Sequence, residues 1–270
     1  MIAQHFEGVL WQCWHTDCKT TDHDMAIHRN RGETMDLKKN LQMAIGMGKR
    51  FGIGASIYDI YYRGMDRLLG LEGYRVVALG AENLVKARLP EGDFPQAREL
   101  STKEILAFGE KFPKHLPQDF VLRACARGDR CVAMIIDGEL AAYCWFSRRP
   151  TEMDRRLEVR FDDSMVYQYK AFTFRGHRGK RLALLILKHA LEVYANEGVE
   201  KVVAYIANNN FASLAAAKGA GFQKVGTVYV IRRRRWLKVF ATRACLRAGV
   251  SIAKKTLPQS APAILPKIAQ

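Results

Sequence analysis

The residues with the clearest chemical potential lie in the stretch AFTFRGHRGKRLALLILKHAL, Ala171 to Leu191. A strand-like run breaks at Gly176 and Gly179 among Arg175, Arg178, Lys180 and Arg181, and then becomes an apolar-periodic segment. Backbone N–H groups at a helix start lack intrahelical partners and carry partial positive charge, so they hold anions well. Arg178, Lys180 and Arg181 add full charges at the same place, and the glycines let the backbone turn and come close. The stretch reads as an anion site at a strand-to-helix turn.

Groups able to move protons cluster just before it. Tyr167, Tyr169 and Lys170 follow Asp162 and Asp163, and strand alternation would put both tyrosines on one face and Lys170 on the other. Glu158 offers a further carboxylate. Cys13, Cys18, His23 and His28 form a C-x4-C-x4-H-x4-H series, but structural zinc sites frame their ligands differently. No metal is assigned. The six cysteines are scattered, as in reduced thiols of a cytoplasmic protein.

The elements that must position these groups follow from periodicity. Residues 1–35 are polar and aperiodic, an extension expected to be disordered. Residues 36–72 are helical in pattern, with Ile57, Ile60, Tyr61 and Met65 on one face, a stripe expected to pack on the main domain. A strand starts at Tyr74. Ser101-Thr-Lys-Glu104 is a capping box that opens a short helix, and a second helix runs from about Asp119 to Ala126. CVAMII, Asp137-Gly138 and LAAYCWF make a hairpin. A polar loop, Arg148 to Asp163, leads to a strand from Met165 to Phe174, then the basic turn and a helix to about Asn196. KVVAYIA is a strand, NNNFASLAAAKGAGF a loop and short helix, and KVGTVYVI a last strand.

The formal net charge is +16, with 49% hydrophobic residues, which suits one folded domain with extensions and an anionic partner. Glu200 is the last acidic residue, and thirteen Lys/Arg follow it. Residues 232–270 read as a basic amphipathic tail. Within 231–255 a helix lying on an anionic membrane surface, or docking of an acidic protein, would use Trp236, Phe240 and Leu246 among the arginines. No nucleic-acid recognition motif appears beyond charge. No run reaches the roughly 18 uninterrupted apolar residues of a spanning helix, since Lys49 and Arg50 split the best one. The expectation is a cytoplasmic chain, peripheral at most to the inner face of the membrane.

Over about 73–231, the order of elements and the residues at their junctions resemble the GNAT acyltransferases, the Gcn5-related N-acetyltransferase superfamily. Arg178-Gly179-Lys180-Arg181-Leu182-Ala183 is similar to that family's phosphate motif, with Arg181 standing where glycine is usual. Asn210 and Gly221-Phe222 stand at the family's spacing after the next strand. The resemblance implies an α/β (α+β) fold with a mixed, twisted sheet flanked by helices. It implies acyl transfer from acetyl-CoA or another acyl-CoA to an amine acceptor, small molecule or protein, by direct attack. Arg178, Gly179, Lys180, Arg181, Leu182 and Ala183 would hold the pyrophosphate. Phe172, Thr173 and Phe174 would pair by backbone with pantetheine where their strand splays from its neighbour, and Asn210 and Ser213 would line the cofactor's far arm. The family's tyrosine acid falls at Ala217; the thiolate can leave without much help, or Ser213 or Tyr205 could substitute through a water, and Tyr169 and Glu158 are candidate bases. Other readings are a carrier-protein-dependent N-acyltransferase at the membrane and a non-catalytic acyl-CoA-binding domain.

Overall fold

The computed structural model describes residues 45–84, 93–154, 156–233 and 236–255. The expected extension 1–35 and the series from Cys13 to His28 lie outside them. A helical stretch, 45–51, breaks at Gly52, whose φ is 88°, and α1 follows (Ile53–Leu69). Next come β1 (Leu71–Gly80), one-turn α2 (Ala81–Leu84), β2 (Arg98–Glu99), α3 (Thr102–Lys111), α4 (Gln118–Arg127), β3 (Arg130–Ile136) and β4 (Glu139–Ser147). The chain continues through β5 (Thr151–Glu152), β6 (Leu157–Arg160), β7 (Met165–Thr173), α5 (Leu182–Ala195), β8 (Lys201–Ala207) and α6 (Phe211–Gly219). It ends with β9 (Gln223–Arg233), β10 (Trp236–Ala241), α7 (Arg243–Arg247) and β11 (Ser251–Lys254).

Local signals act as expected. The Ser101 hydroxyl accepts from the Glu104 N–H and the Glu104 carboxylate accepts from the Ser101 N–H, closing the capping box of α3. Asp137 and Gly138 both have positive φ, 54° and 77°, as the tight turn between β3 and β4 requires. The main sheet runs β10-β9-β1-β8-β7-β4-β3-β2. Every neighbouring pair is antiparallel except β7 and β8. One face packs on α5 and α6 through Val132, Phe146, Leu187, Ala190 and Val202. The other carries Tyr143, Trp145, Tyr167 and Tyr205, under α3, α4 and a small sheet.

Four expectations are corrected. The loop 148–163 contains β5 and β6, which join β11 in that small sheet, because Leu157 and Val159 alternate inward against the core. The tail is not an amphipathic helix: Leu237 is buried while Trp236, Lys238 and Phe240 are exposed, a period of two that makes β10. Its Arg232 is anchored between Glu72 and Asp154. Third, the apolar stripe of α1 faces outward, with Ile57 63% and Tyr61 61% exposed. The face that packs instead carries Ala55, Asp59 and Tyr62. Fourth, Lys170 does not lie opposite Tyr169. It sits at a bulge (φ 47°) where β7 slips in register against β4, and its ammonium lies 3.6 Å from the Phe120 ring centroid, on the tyrosine face.

Candidate active site

The parallel pair at the sheet's centre is short. β7 and β8 share three rungs, Met165 with Lys201, Val166 with Val202 and Tyr167 with Val203, and pairing stops there. Beyond it, β7 remains paired to β4 on its other side as far as Thr173. The edge of β7 from Gln168 to Thr173 therefore faces an opening toward β8, with backbone groups that an extended ligand could pair. Phe172, Thr173 and Phe174 fall on this edge or just past it. Because parallel strands end on the same side, the N-termini of α5 and α6 both sit beside the opening.

At its mouth the chain makes a 3-10 turn (Arg175–His177) and then passes Gly179, with φ 85°. Helix α5 begins without any side-chain cap, leaving its first amides to an incoming anion. Arg178, Gly179, Lys180, Arg181, Leu182 and Ala183 are thus brought together around one helix end. Arg181 is left-handed at φ 54°, where glycine would be unstrained, and its side chain is exposed. Arg178 Nε donates to the Thr173 carbonyl at 3.2 Å, and its guanidinium lies 5.9 Å from the Phe172 ring centroid. The basic turn is tied directly to the open edge.

Between that edge and α5 lies a small cavity lined by Gln168, Ala171, Thr173, Ala183 and Ile186. Gln168 is 4% exposed, and its Oε1 is buried with no hydrogen-bond partner. A buried amide oxygen without a donor is costly, and a ligand N–H at this edge would satisfy it.

Other predicted residues take different places. Asn210 Oδ1 accepts from the Ser213 N–H at 3.1 Å, capping α6, and Ser213 is buried. Glu158 is turned away from the core in the small sheet and pairs with Arg160. Tyr169 donates its hydroxyl to Asp129 Oδ2, and Arg127 bonds both groups, at 3.0 Å to Asp129 from Nε and 3.2 Å to the phenol oxygen. Burial first, then the Asp129 charge, raises the Tyr169 pKa, so the phenol stays protonated and locked in this cluster. Ala217 is packed in the core at 1% exposure, leaving no acid there. Tyr205, two residues past the last rung of β8, has a buried hydroxyl with no partner, and burial again pushes its pKa up.

One residue escaped the sequence reading. His115 stacks on Phe172 at 4.1 Å between ring centroids and meets Phe174 edge-on. Burial, then the charges of Lys170, Arg178 and Lys114, lowers its pKa below the ordinary 6.5. It is a neutral imidazole at pH 7, beside the open edge. Nothing local marks it: it lies in KHLPQ, between two helices, and only the fold carries it to β7.

Residues 97–222 match the model of the acetyltransferase (GNAT) family. Residues 97–222 are a GNAT-family domain. The match omits β1 and the strands from β9 onward, although β1, β9 and β10 continue the main sheet beyond β8. Solved structures give looser likenesses. A protein from Novosphingobium aromaticivorans assigned to the GNAT family is 16% identical, covering 59% of this chain and 62% of its own, with a TM-score of 0.38. A tandem GNAT protein from the clavulanic acid biosynthesis pathway is 16% identical over 60% and 55%, at 0.41. A Gcn5-related N-acetyltransferase from Sphaerobacter thermophilus is 14% identical over 62% and 53%, also at 0.41. The chain thus spans between 53% and 62% of the length of these solved chains. No curated protein matches the sequence. Among the described residues no group of metal-ligating side chains comes together, and no helix is long and apolar enough to cross a membrane.

Proposed function

We propose that the chain transfers an acyl group from an acyl-CoA thioester to an amine. The observation that carries this is the continuity of the open β7 edge with the uncapped, basic start of α5. An extended diamide arm would lie on the edge, with Gln168 Oε1 accepting one of its N–H groups, and a diphosphate would sit on the helix end. The amine nitrogen attacks the thioester carbonyl carbon, the C–S bond breaks, and coenzyme A leaves as the thiol. Neutral His115 takes the proton from the attacking amine, and the Tyr205 phenol, kept protonated by burial, gives one to the departing sulfur. No covalent enzyme intermediate is needed.

The direct test is release of free thiol from acetyl-CoA and longer acyl-CoAs over pools of amine acceptors. Turnover with any pair supports the reading; absence of CoA binding by calorimetry overturns it. Ala217 favours a second reading, a domain that binds acyl-CoA without turning it over, which would show as heat of binding without thiol release.

His115 and Tyr205 give separable expectations. The acidic limb of the pH–rate profile should fall below 6.5, following the lowered imidazole pKa, and His115→Gln should remove that limb with a loss of about 100-fold or more in kcat. Stability moves the same way. As pH falls through 6.5 the unfolded chain takes up this proton before the folded one does, so stability declines toward acid. A limb unchanged in His115→Gln would dismiss it as the base. Tyr205→Phe removes a buried hydroxyl that has no partner, so melting should hold steady or rise, while kcat drops about tenfold or more. Unchanged kcat would leave the sulfur to be protonated by water.

A further inference from the structure

Helix α1 is mounted with its polar side inward. Asp59, 6% exposed, accepts from Asn209 Nδ2 at 2.9 Å and from Arg63 at 2.7 Å. The Tyr62 hydroxyl donates to the Gly73 carbonyl at 3.1 Å and accepts from the Gly73 N–H at 2.8 Å. Its apolar residues point the other way: Ile53, Ile57, Ile60, Tyr61 and Leu68 are between 61% and 76% exposed. At 100° per residue they form one stripe along the helix. A contiguous apolar surface of this kind marks an interaction site.

Charge says what covers it. Lys49, Arg50, Arg63 and Arg67 are exposed along this segment, and among the described residues from 45 to 71 no Asp or Glu is exposed. Arg63 and Arg67 flank one side of the stripe. On the other, α1 overhangs a cavity of about 450 Å³ whose walls include Phe51, Tyr58, Phe211 and Tyr229, with Arg75 and Lys224 among them. Arg75 Nε is buried there without a hydrogen-bond partner. Tyr229 is the direct cross-strand partner of Phe240, so alternation puts Phe240, Lys238 and Trp236 on the same face of the sheet as α1. All three are exposed.

We infer that this face is a docking surface for an anionic phospholipid membrane. The α1 stripe enters the acyl boundary, Arg63 and Arg67 meet headgroup phosphates on one side, and the Arg75–Lys224 cavity takes a headgroup phosphate on the other. Trp236 and Phe240 extend the contact toward β10. This assignment rests on α1, the Arg75–Lys224 cavity and β10, not on the open edge of β7, and stands whether or not the domain transfers acyl groups.

The test uses the full-length chain, sedimented with phosphatidylcholine vesicles with and without phosphatidylglycerol. Wild type should pellet with the anionic vesicles and stay largely in solution with the neutral ones. Ile57→Glu combined with Ile60→Glu changes two solvent-facing positions, so melting should be unaltered while the vesicle-bound fraction falls about tenfold or more. If that variant does not melt as wild type does, Ile60→Ser alone carries the comparison. Lys224→Gln should reduce the preference for phosphatidylglycerol. Wild type left in the supernatant at low salt, or a double variant that pellets as well as wild type, overturns the assignment. So does a dimer on size exclusion that the double variant splits, since the face would then be covered by a second copy of the chain.

Discussion

Gly179→Asp is expected to abolish coenzyme A binding. Gly179 holds φ 85° at the turn that feeds the uncapped start of α5. Any side chain there meets left-handed strain of about 1–2 kcal/mol, but aspartate also brings a negative charge to the place where a diphosphate would sit. At about 4 Å and an effective dielectric near 20, one pair of like charges costs about 4 kcal/mol, so affinity should fall by about a thousandfold. Gly179→Ala carries the strain without the charge and separates the two causes. Arg178→Ala should weaken binding by a smaller amount, about 1–3 kcal/mol, since it removes one charged donor and also frees the Thr173 carbonyl that Arg178 now occupies. Calorimetry with coenzyme A checks all three. An unaltered affinity in Gly179→Asp would remove the helix end as the phosphate site.

Asp129→Ala should cost the fold about 3–5 kcal/mol, the range for breaking a buried ion pair by deleting one partner. The Asp129 side chain is 1% exposed and receives both the Arg127 guanidinium and the Tyr169 hydroxyl. Deleting it leaves a half-buried cation and phenol without their acceptor. Urea unfolding should show the midpoint falling at unchanged slope. Asp129→Asn keeps an acceptor oxygen for Tyr169 and should lose less. A midpoint within error of wild type would mean that water reaches the cluster. Since Tyr169 forms the last rung between β7 and β4 before the bulge, this cluster also holds the register at that point.

Much of this was already legible in residue order. Gly179 and the cations around it announce a tight turn into an uncapped helix start, because glycine flexibility and unpaired amides are local properties. The capping box at Ser101 and the turn at Asp137-Gly138 are read the same way, each being complete within a few residues. Misreadings came where an element's environment outweighed its own pattern. Trp236 to Ala241 alternates with period two, yet its arginine-rich lead-in resembled a helix's polar face. The Ile57 and Tyr61 stripe was rightly helical, but nothing in it says which way the helix faces, and Asp59 and Tyr62 turned the polar side inward.

The sequence by itself determined the strand-to-helix junction, with its glycines and cations, and most of the strands and helices around it. Only the tertiary structure decided what stands beside that junction. His115 reaches Phe172 across 57 residues of chain, Arg127 and Asp129 close on Tyr169 across about forty, and the bulge at Lys170 swings its ammonium to the tyrosine face. Such contacts depend on strand register and sheet order, which are settled by the packing of the whole core rather than by any short run of residues.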